Sequence, residues 1–322
     1  MSYNKLKGLA AAFAATLLWG GFYPVSRWLN SGTGDAPDGL TASLARFFIA
    51  SLALSPALFD REACAKLRQN WRRDLPLFAL LAAVGIVGQG VLVLLSTRYT
   101  TSARSSLMAN TAPIFTVLLS WWIAREALTG RKVAGMILGA LGIGVMFMLR
   151  GQDDYSGGAA TWAGDLLAVG AGACWALYTV LGSGPSSRCG AFFCTECTFV
   201  IGTLMLLPLS AIWGQLPQLA TYSKAAWLGI SYLSLLAGAL GFSLWYVALK
   251  YLAPGELGAF GYLTPVVSAT LAYLCFNERL GWGFLLALAL ILGGVALMME
   301  KKAANDSNRH DDGGRGAESD WR

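Results

Sequence analysis

Residues Arg104 to Met148 read RSSLMANTAPIFTVLLSWWIAREALTGRKVAGMILGALGIGVMFM, and Glu256 to Glu300 read ELGAFGYLTPVVSATLAYLCFNERLGWGFLLALALILGGVALMME. Set against each other at a constant offset of 152 residues they align without a gap, with Pro113 on Pro265, Leu119 on Leu271, Glu126 on Glu278, Leu128 on Leu280, Gly142 on Gly294 and Met146 on Met298. In each stretch an apolar run with one central proline closes on a Glu beside an Arg. Leu and a second, Gly-containing apolar run follow. The pattern is a helical hairpin written twice.

The echo extends upstream. Phe47, Ile49, Leu52, Leu54 and Pro56 fall on Phe199, Ile201, Leu204, Leu206 and Pro208 at the same offset of 152, and Gly8 and Trp19 fall on Gly164 and Trp175 at 156. Small shifts of offset are what unequal loops leave after a duplication. The chain therefore divides into two homologous halves, 1–150 and 155–301, and a tail, 302–322, whose Asn, Asp, Ser, Gly and Arg content predicts disorder.

With 56% hydrophobic and 13% charged residues and a mean hydropathy of +0.54, the chain has too little charge to cover a soluble core, which takes about a quarter. Ten apolar runs are long enough as helices to cross ~30 Å of hydrocarbon. They span 7–27, 40–59, 75–95, 104–124, 132–149, 162–182, 191–213, 226–249, 256–276 and 281–299. Barrel strands are shorter and alternate, so the expected fold is an all-α polytopic membrane protein. The N-terminal stretch resembles a signal peptide but is expected to be retained, because its counterpart at 162–182 lies deep in the chain.

Lys and Arg set the orientation. With the N-terminus inside, 17 of them fall in cytoplasmic segments, including the cluster Arg61, Lys66, Arg68, Arg72 and Arg73, and 6 fall outside. Both termini are then cytoplasmic. The net charge of +6 is topological, and no nucleic-acid partner is inferred from it. Five spans per half is an odd number, so the halves enter the membrane from opposite sides as inverted five-helix repeats. Such repeats place a substrate site near the midplane between them, in a central cavity.

Candidate cavity residues follow from polar and aromatic groups inside spans. Trp19-Gly20-Gly21-Phe22-Tyr23 in the first span and Trp175-Ala176-Leu177-Tyr178 in the sixth share a Trp-x-x-aromatic spacing that sets rings on one helical face. Trp19, Tyr23, Trp175 and Tyr178 are the candidates, although an interfacial aromatic belt would give the same residues. Trp245 and Tyr246 add rings from the eighth span. Gln89, Asn110, Tyr262 and Thr264 are polar groups that would be costly in lipid and should face inward. Pro113 and Pro265, with Gly258 and Gly261, mark either hinges or static kinks. Arg46, the one charge well inside a span, is a functional candidate by default. Against that stands the preferred structural reading, snorkelling to the outer interface or pairing with Asp35 or Asp38. Glu126 and Glu278 are expected to cap helices or pair across short loops.

Chemistry has few candidates. Cys194 and Cys197 lie in an apolar span without a second Cys or His pair, His310 is the only histidine and sits in the tail, and no metal or cofactor is expected. No enzyme activity is expected either. Carboxylates are expected at span ends, with none buried along the path for a proton to titrate.

Two five-span units, each carrying Pro-x(12)-Glu-x-Leu before a Gly-rich last span, resemble the drug/metabolite transporter superfamily and its ten-span EamA-type branch. The Trp-Gly start of the first span, the pair Arg46-Phe47 and the stretch Asn110-Thr111-Ala112-Pro113 are most similar to bacterial aromatic amino-acid exporters of the YddG type. The resemblance covers about residues 5–301. It implies a cavity lined by spans one, three, four, six, eight and nine and export of amino acids across the bacterial inner membrane. The expected partners are a small-molecule substrate and lipid, with the chain as a monomer. The alternatives are a broad drug or metabolite exporter and a non-transporting receptor or scaffold.

Overall fold

The computed structural model describes residues 3–31, 38–123, 128–148, 162–252, 257, 259–276 and 281–298. All regular elements among them are helical. Seven helical segments are long and apolar enough to cross a membrane: α1 (Asn4–Asn30), α2 (Gly39–Phe59), α3 (Trp71–Tyr99), α4 (Ser102–Ile123), α6 (Trp162–Cys189), α7 (Ala191–Trp213) and α8 (Lys224–Leu249). Three further apolar helices, α5 (Gly130–Met148), α9 (Leu263–Phe276) and α10 (Trp282–Met298), pack beside them. The described residues thus make ten helical passes of an all-α polytopic membrane protein. Helices suit these sequences because each satisfies its own backbone hydrogen bonds where no water can.

The outside of the bundle is apolar. Phe59, Trp122, Leu204, Ile212, Trp213, Leu274 and Trp282 are exposed, which in water would be an aggregation surface and in lipid is a solvated one. The basic loop after α2 folds into a short helix, Arg61–Gln69, whose first amides are capped by Asp60. Lys66 pairs with Glu62 one turn back at 2.5 Å. Helix starts elsewhere are capped in the same way, α2 by Asp38 and α8 by Ser223.

Helices at corresponding places in the two halves meet each other. α5 packs along α10, and α2 along α7, while α1 packs on α8 as α3 packs on α6. The α5–α10 crossing is close because it is made of glycine. A Cβ at Gly294 would stand 2.5 Å from the Gly135 carbonyl, and one at Gly142 would stand 2.7 Å from Ile291. Small residues allow this backbone approach in lipid, where burial of apolar surface gives no drive to associate.

Several passes are irregular, and the irregularities face inward. α1 is interrupted at Gly21, just before Pro24. Gly20 and Gly21 meet Val267 and Tyr232 so closely that any Cβ would overlap them. α4 breaks at Asn110 and Thr111, where Pro113 cannot donate to the preceding turn. α9 is led in by a tight turn, Ala259–Tyr262, that ends before Pro265. α3 and α8 each widen into π-helix, over Ala82–Gly88 and Tyr232–Leu240. Shifted by 152 positions, the first π segment falls inside the second.

Candidate functional site: a cavity among seven passes

The breaks and π segments surround one cavity, lined by residues from α1, α2, α3, α4, α6, α8 and α9. Its apolar wall is aromatic. Trp19 meets Trp175 edge-on at 4.9 Å between ring centroids, with Trp245 at 5.1 Å and Phe242 at 5.9 Å. Trp175 in turn meets Phe242 at 5.2 Å and Trp245 at 5.6 Å. Such edge-on and tilted pairs are worth ~0.5–1.5 kcal/mol each beyond burial, so the rings fix one another. Trp19 is also tied by its indole nitrogen, which donates to the Ala237 carbonyl at 2.8 Å. That carbonyl lies in the π segment of α8, where the wider turn frees acceptors for side chains.

The polar wall comes from the broken helices. Asn110 donates through Nδ2 to the Ser106 carbonyl at 2.8 Å, holding the end of the first half of α4. Gln89 follows directly after the π segment of α3, and its buried Oε1 has no hydrogen-bond partner among the described residues. Thr116, Thr179 and Thr264 add hydroxyls to the lining, which also holds Tyr23 and Arg46.

Of the ten residues predicted from sequence as substrate-binding, Trp19, Tyr23, Gln89, Asn110, Trp175, Trp245 and Thr264 line this cavity. Tyr178 and Tyr246 do not. Tyr246 follows Trp245 by ~100° of helical rotation and so points to another side of α8. Its ring stacks on Tyr178 at 5.2 Å, and Tyr178 stacks on Trp175 at 5.4 Å, so the two tyrosines back the wall from within the core. The Tyr262 side chain lies outside the described residues, as do Gly258, Glu126, Glu278 and Asp35. Pro113 and Gly261 line the cavity, and Pro265 is buried beside it.

The structure corrects two expectations. Arg46 neither snorkels nor pairs with Asp38. It is 1% exposed and lines the cavity, while the Asp38 carboxylate caps α2 and accepts from the Gln215 amide. The passes also hold a carboxylate well inside a helix. Glu196 is buried in α7 and accepts from the Ser51 hydroxyl at 2.8 Å. That hydroxyl meets one of its oxygens, the buried Oε2 has no hydrogen-bond partner among the described residues, and Glu196 is not among the lining residues. Phe22, on the predicted ring face but not among the predicted binding residues, lines the cavity, as do Thr179 and Phe242. Extending the helical stripe from Trp175 by four residues and back from Trp245 by three would have found the last two.

Ion pairs hold both ends of α6. Arg104 faces Asp165 at 2.9 Å where α4 and α6 begin, and Arg188 faces Asp74 at 2.6 Å where α6 ends and α3 begins. Among the described residues no three His, Cys, Asp or Glu side chains come together as a metal would need.

The EamA-like transporter family model matches residues 6–148 and 162–300. An uncharacterized transporter of Archaeoglobus fulgidus is 27% identical over 82% of this chain and 89% of its own length. A protein of Streptantibioticus cattleyicolor described as a probable terminal-alkyne amino-acid exporter is 30% identical over 91% of this chain and 93% of its own length. A crystal structure sharing 20% identity superposes with a TM-score of 0.67, covering 92% of this chain and 98% of that one, and so has the same fold. A ten-pass helical bundle around an aromatic cavity, matched over both halves, makes the chain a membrane transporter rather than an enzyme, and it belongs to the EamA-like transporter family.

Proposed function

We propose that this transporter exports neutral and aromatic amino acids across the bacterial inner membrane by alternating access. The observation that carries the reading is the cavity itself: tryptophan walls with an amide and hydroxyls beside them, and no Asp or Glu among the described lining residues. Ring faces attract an ammonium by ~0.5–2 kcal/mol and suit apolar side chains equally. The likeness to a probable terminal-alkyne amino-acid exporter supports the same substrate class. A broad exporter of hydrophobic cations is disfavoured, because Arg46 places a positive charge in the lining.

In this proposal the halves 1–150 and 155–301 are inverted repeats with both termini cytoplasmic. The bias of 17 against 6 basic residues supports the orientation. The repeat is supported by the matched prolines of α4 and α9, the matched π segments, and the packing of α5 on α10 and α2 on α7. Pro113, Gly261 and Pro265 are the hinges about which α4 and α9 rock, and the freed carbonyls at these breaks let them bend.

Counterflow of labelled amino acid into liposomes holding the purified protein tests the function. Asn110→Ala should lower the exchange rate, and Trp175→Ala should nearly abolish it. Trp175→Phe keeps a ring and controls for lost packing at this half-buried position. Unchanged kinetics in both alanine variants would remove the cavity from the mechanism.

Transport should need no proton. Glu196 is the titratable carboxylate nearest to challenging this, yet it lies against α2 and outside the lining. A pH gradient at zero membrane potential is therefore expected to drive no concentrative uptake of a neutral amino acid. Accumulation that Glu196→Gln abolished would show coupling and defeat the prediction.

A further inference from the structure

Arg46 is the charge in the cavity lining that the packing leaves unsatisfied. Its Nε donates to the Leu233 carbonyl in the π segment of α8 at 3.1 Å. Its buried Nη1 has no hydrogen-bond partner among the described residues. The guanidinium carbon lies 4.6 Å from the Phe22 ring centroid and 4.5 Å from that of Phe47, so rings of α1 and α2 flank it. Asp38 caps α2, and Glu196 accepts from Ser51 through Oε1.

A guanidinium with an unmet donor inside a membrane protein is destabilising. Ring contacts offset only part of that. The arrangement does, however, fix the plane and direction of the group. Nε is anchored, the aromatic rings hold the guanidinium, and the residue lines the cavity. An Arg fork held in this way matches a carboxylate, with two parallel N–H donors meeting two oxygens. A single positive charge suits a monovalent carboxylate better than a doubly charged phosphate. Gln89 Oε1, also unpartnered and also lining the cavity, is the complementary acceptor for an ammonium.

We propose that Arg46 is the receptor for the substrate's carboxylate, so that the cavity selects zwitterionic or anionic compounds and rejects the corresponding amines and amides. The proposal rests on the amino-acid reading above and adds to it the group that recognises the amino acid. Without ligand Arg46 is under-satisfied, and a carboxylate completes it. Substrate binding and relief of a buried charge are then the same event.

The test uses one aromatic scaffold in the whole protein. Counterflow of labelled phenylalanine is measured against competing phenylalanine, phenylalaninamide, phenethylamine and 3-phenylpropionate, in wild type, Arg46→Lys and Arg46→Gln. The amide and the amine should compete at least about tenfold less well than phenylalanine in wild type, the size of a lost charge-assisted hydrogen bond. In Arg46→Gln the acid and the amide should compete alike, with Arg46→Lys between. In parallel, 3-phenylpropionate should raise the thermal unfolding temperature of detergent-purified wild type, and phenethylamine should not.

Equal competition by phenylalanine and its amide in wild type overturns the proposal while leaving amino-acid transport standing. So does discrimination that survives in Arg46→Gln. If no amino acid exchanges, the transport reading fails, and the unfolding measurement alone decides Arg46: stabilisation by the carboxylate supports it, and equal shifts with carboxylate and amine defeat it. The wild-type analogue series reads the same answer should the variants fail to fold.

Discussion

Replacing Asp165 by Asn should lower the protein's stability by ~3–5 kcal/mol, because it removes one partner of a buried ion pair. Arg104 is 1% exposed and Asp165 fully buried. They meet as a fork, Nη2 to Oδ2 at 2.9 Å and Nε to Oδ1 at 3.4 Å, and the Thr100 hydroxyl donates to the same carboxylate at 3.2 Å. Asparagine keeps the shape and removes the charge. The guanidinium then stays buried without this carboxylate, and the desolvation that the pair had offset is no longer balanced by it. In a detergent melt followed by size-exclusion retention, the variant should unfold roughly 10 °C below wild type. The double variant Arg104→Met, Asp165→Leu should lose much less, because it removes both charges together. A single variant melting within about 2 °C of wild type would mean that partners other than Asp165 satisfy Arg104.

That pair also marks where sequence stops being informative. Composition, span length and the 152-residue repeat made the ten-pass bundle readable, because each depends on local apolar content and on chain order alone. The cavity was partly readable for the same reason: Gln89 and Asn110 are polar groups in apolar helices, and lipid excludes them. What a single residue meets across the bundle was not. Arg104 falls near a span boundary and looks like a loop cation until α6 brings Asp165 to it. Arg46 has acidic neighbours in sequence, Asp35 and Asp38, which made a local pairing reasonable. The backbone amides at the start of α2 took Asp38 instead. Tyr178 and Tyr246 illustrate a different gap. Spacing assigns residues to a helical face, but which face borders space and which borders another helix depends on neighbours such as Gly85 and Gly182, where these two rings are received.

Glycine positions give the second large effect. A Cβ on Gly172 would stand 2.5 Å from the Ala109 carbonyl oxygen and 3.2 Å from the Thr111 hydroxyl. Real carbon and oxygen atoms do not approach so closely, and the first of these is backbone, so neither a rotamer nor a flexible side chain can relieve the contact. The Ala109 carbonyl is the one that Pro113 leaves without an amide partner, at the break of α4 where Asn110 lines the cavity. Gly172→Ala must therefore push α6 and the broken α4 apart along the cavity wall, at about 1–3 kcal/mol of overpacking strain. Exchange should fall at least about tenfold, since displacing a binding wall by a fraction of an ångström degrades every polar contact it makes. Gly170→Ala, two residues earlier on the same helix, meets only Leu92 at 3.4 Å. It controls for the change in helix propensity, and its exchange rate should match wild type. The readout is the initial rate of amino-acid counterflow for both variants at equal protein per liposome. If Gly172→Ala exchanged at the wild-type rate, the contact between α6 and the break in α4 would play no part in the transport cycle, and the hinge assigned to Pro113 would lose its support.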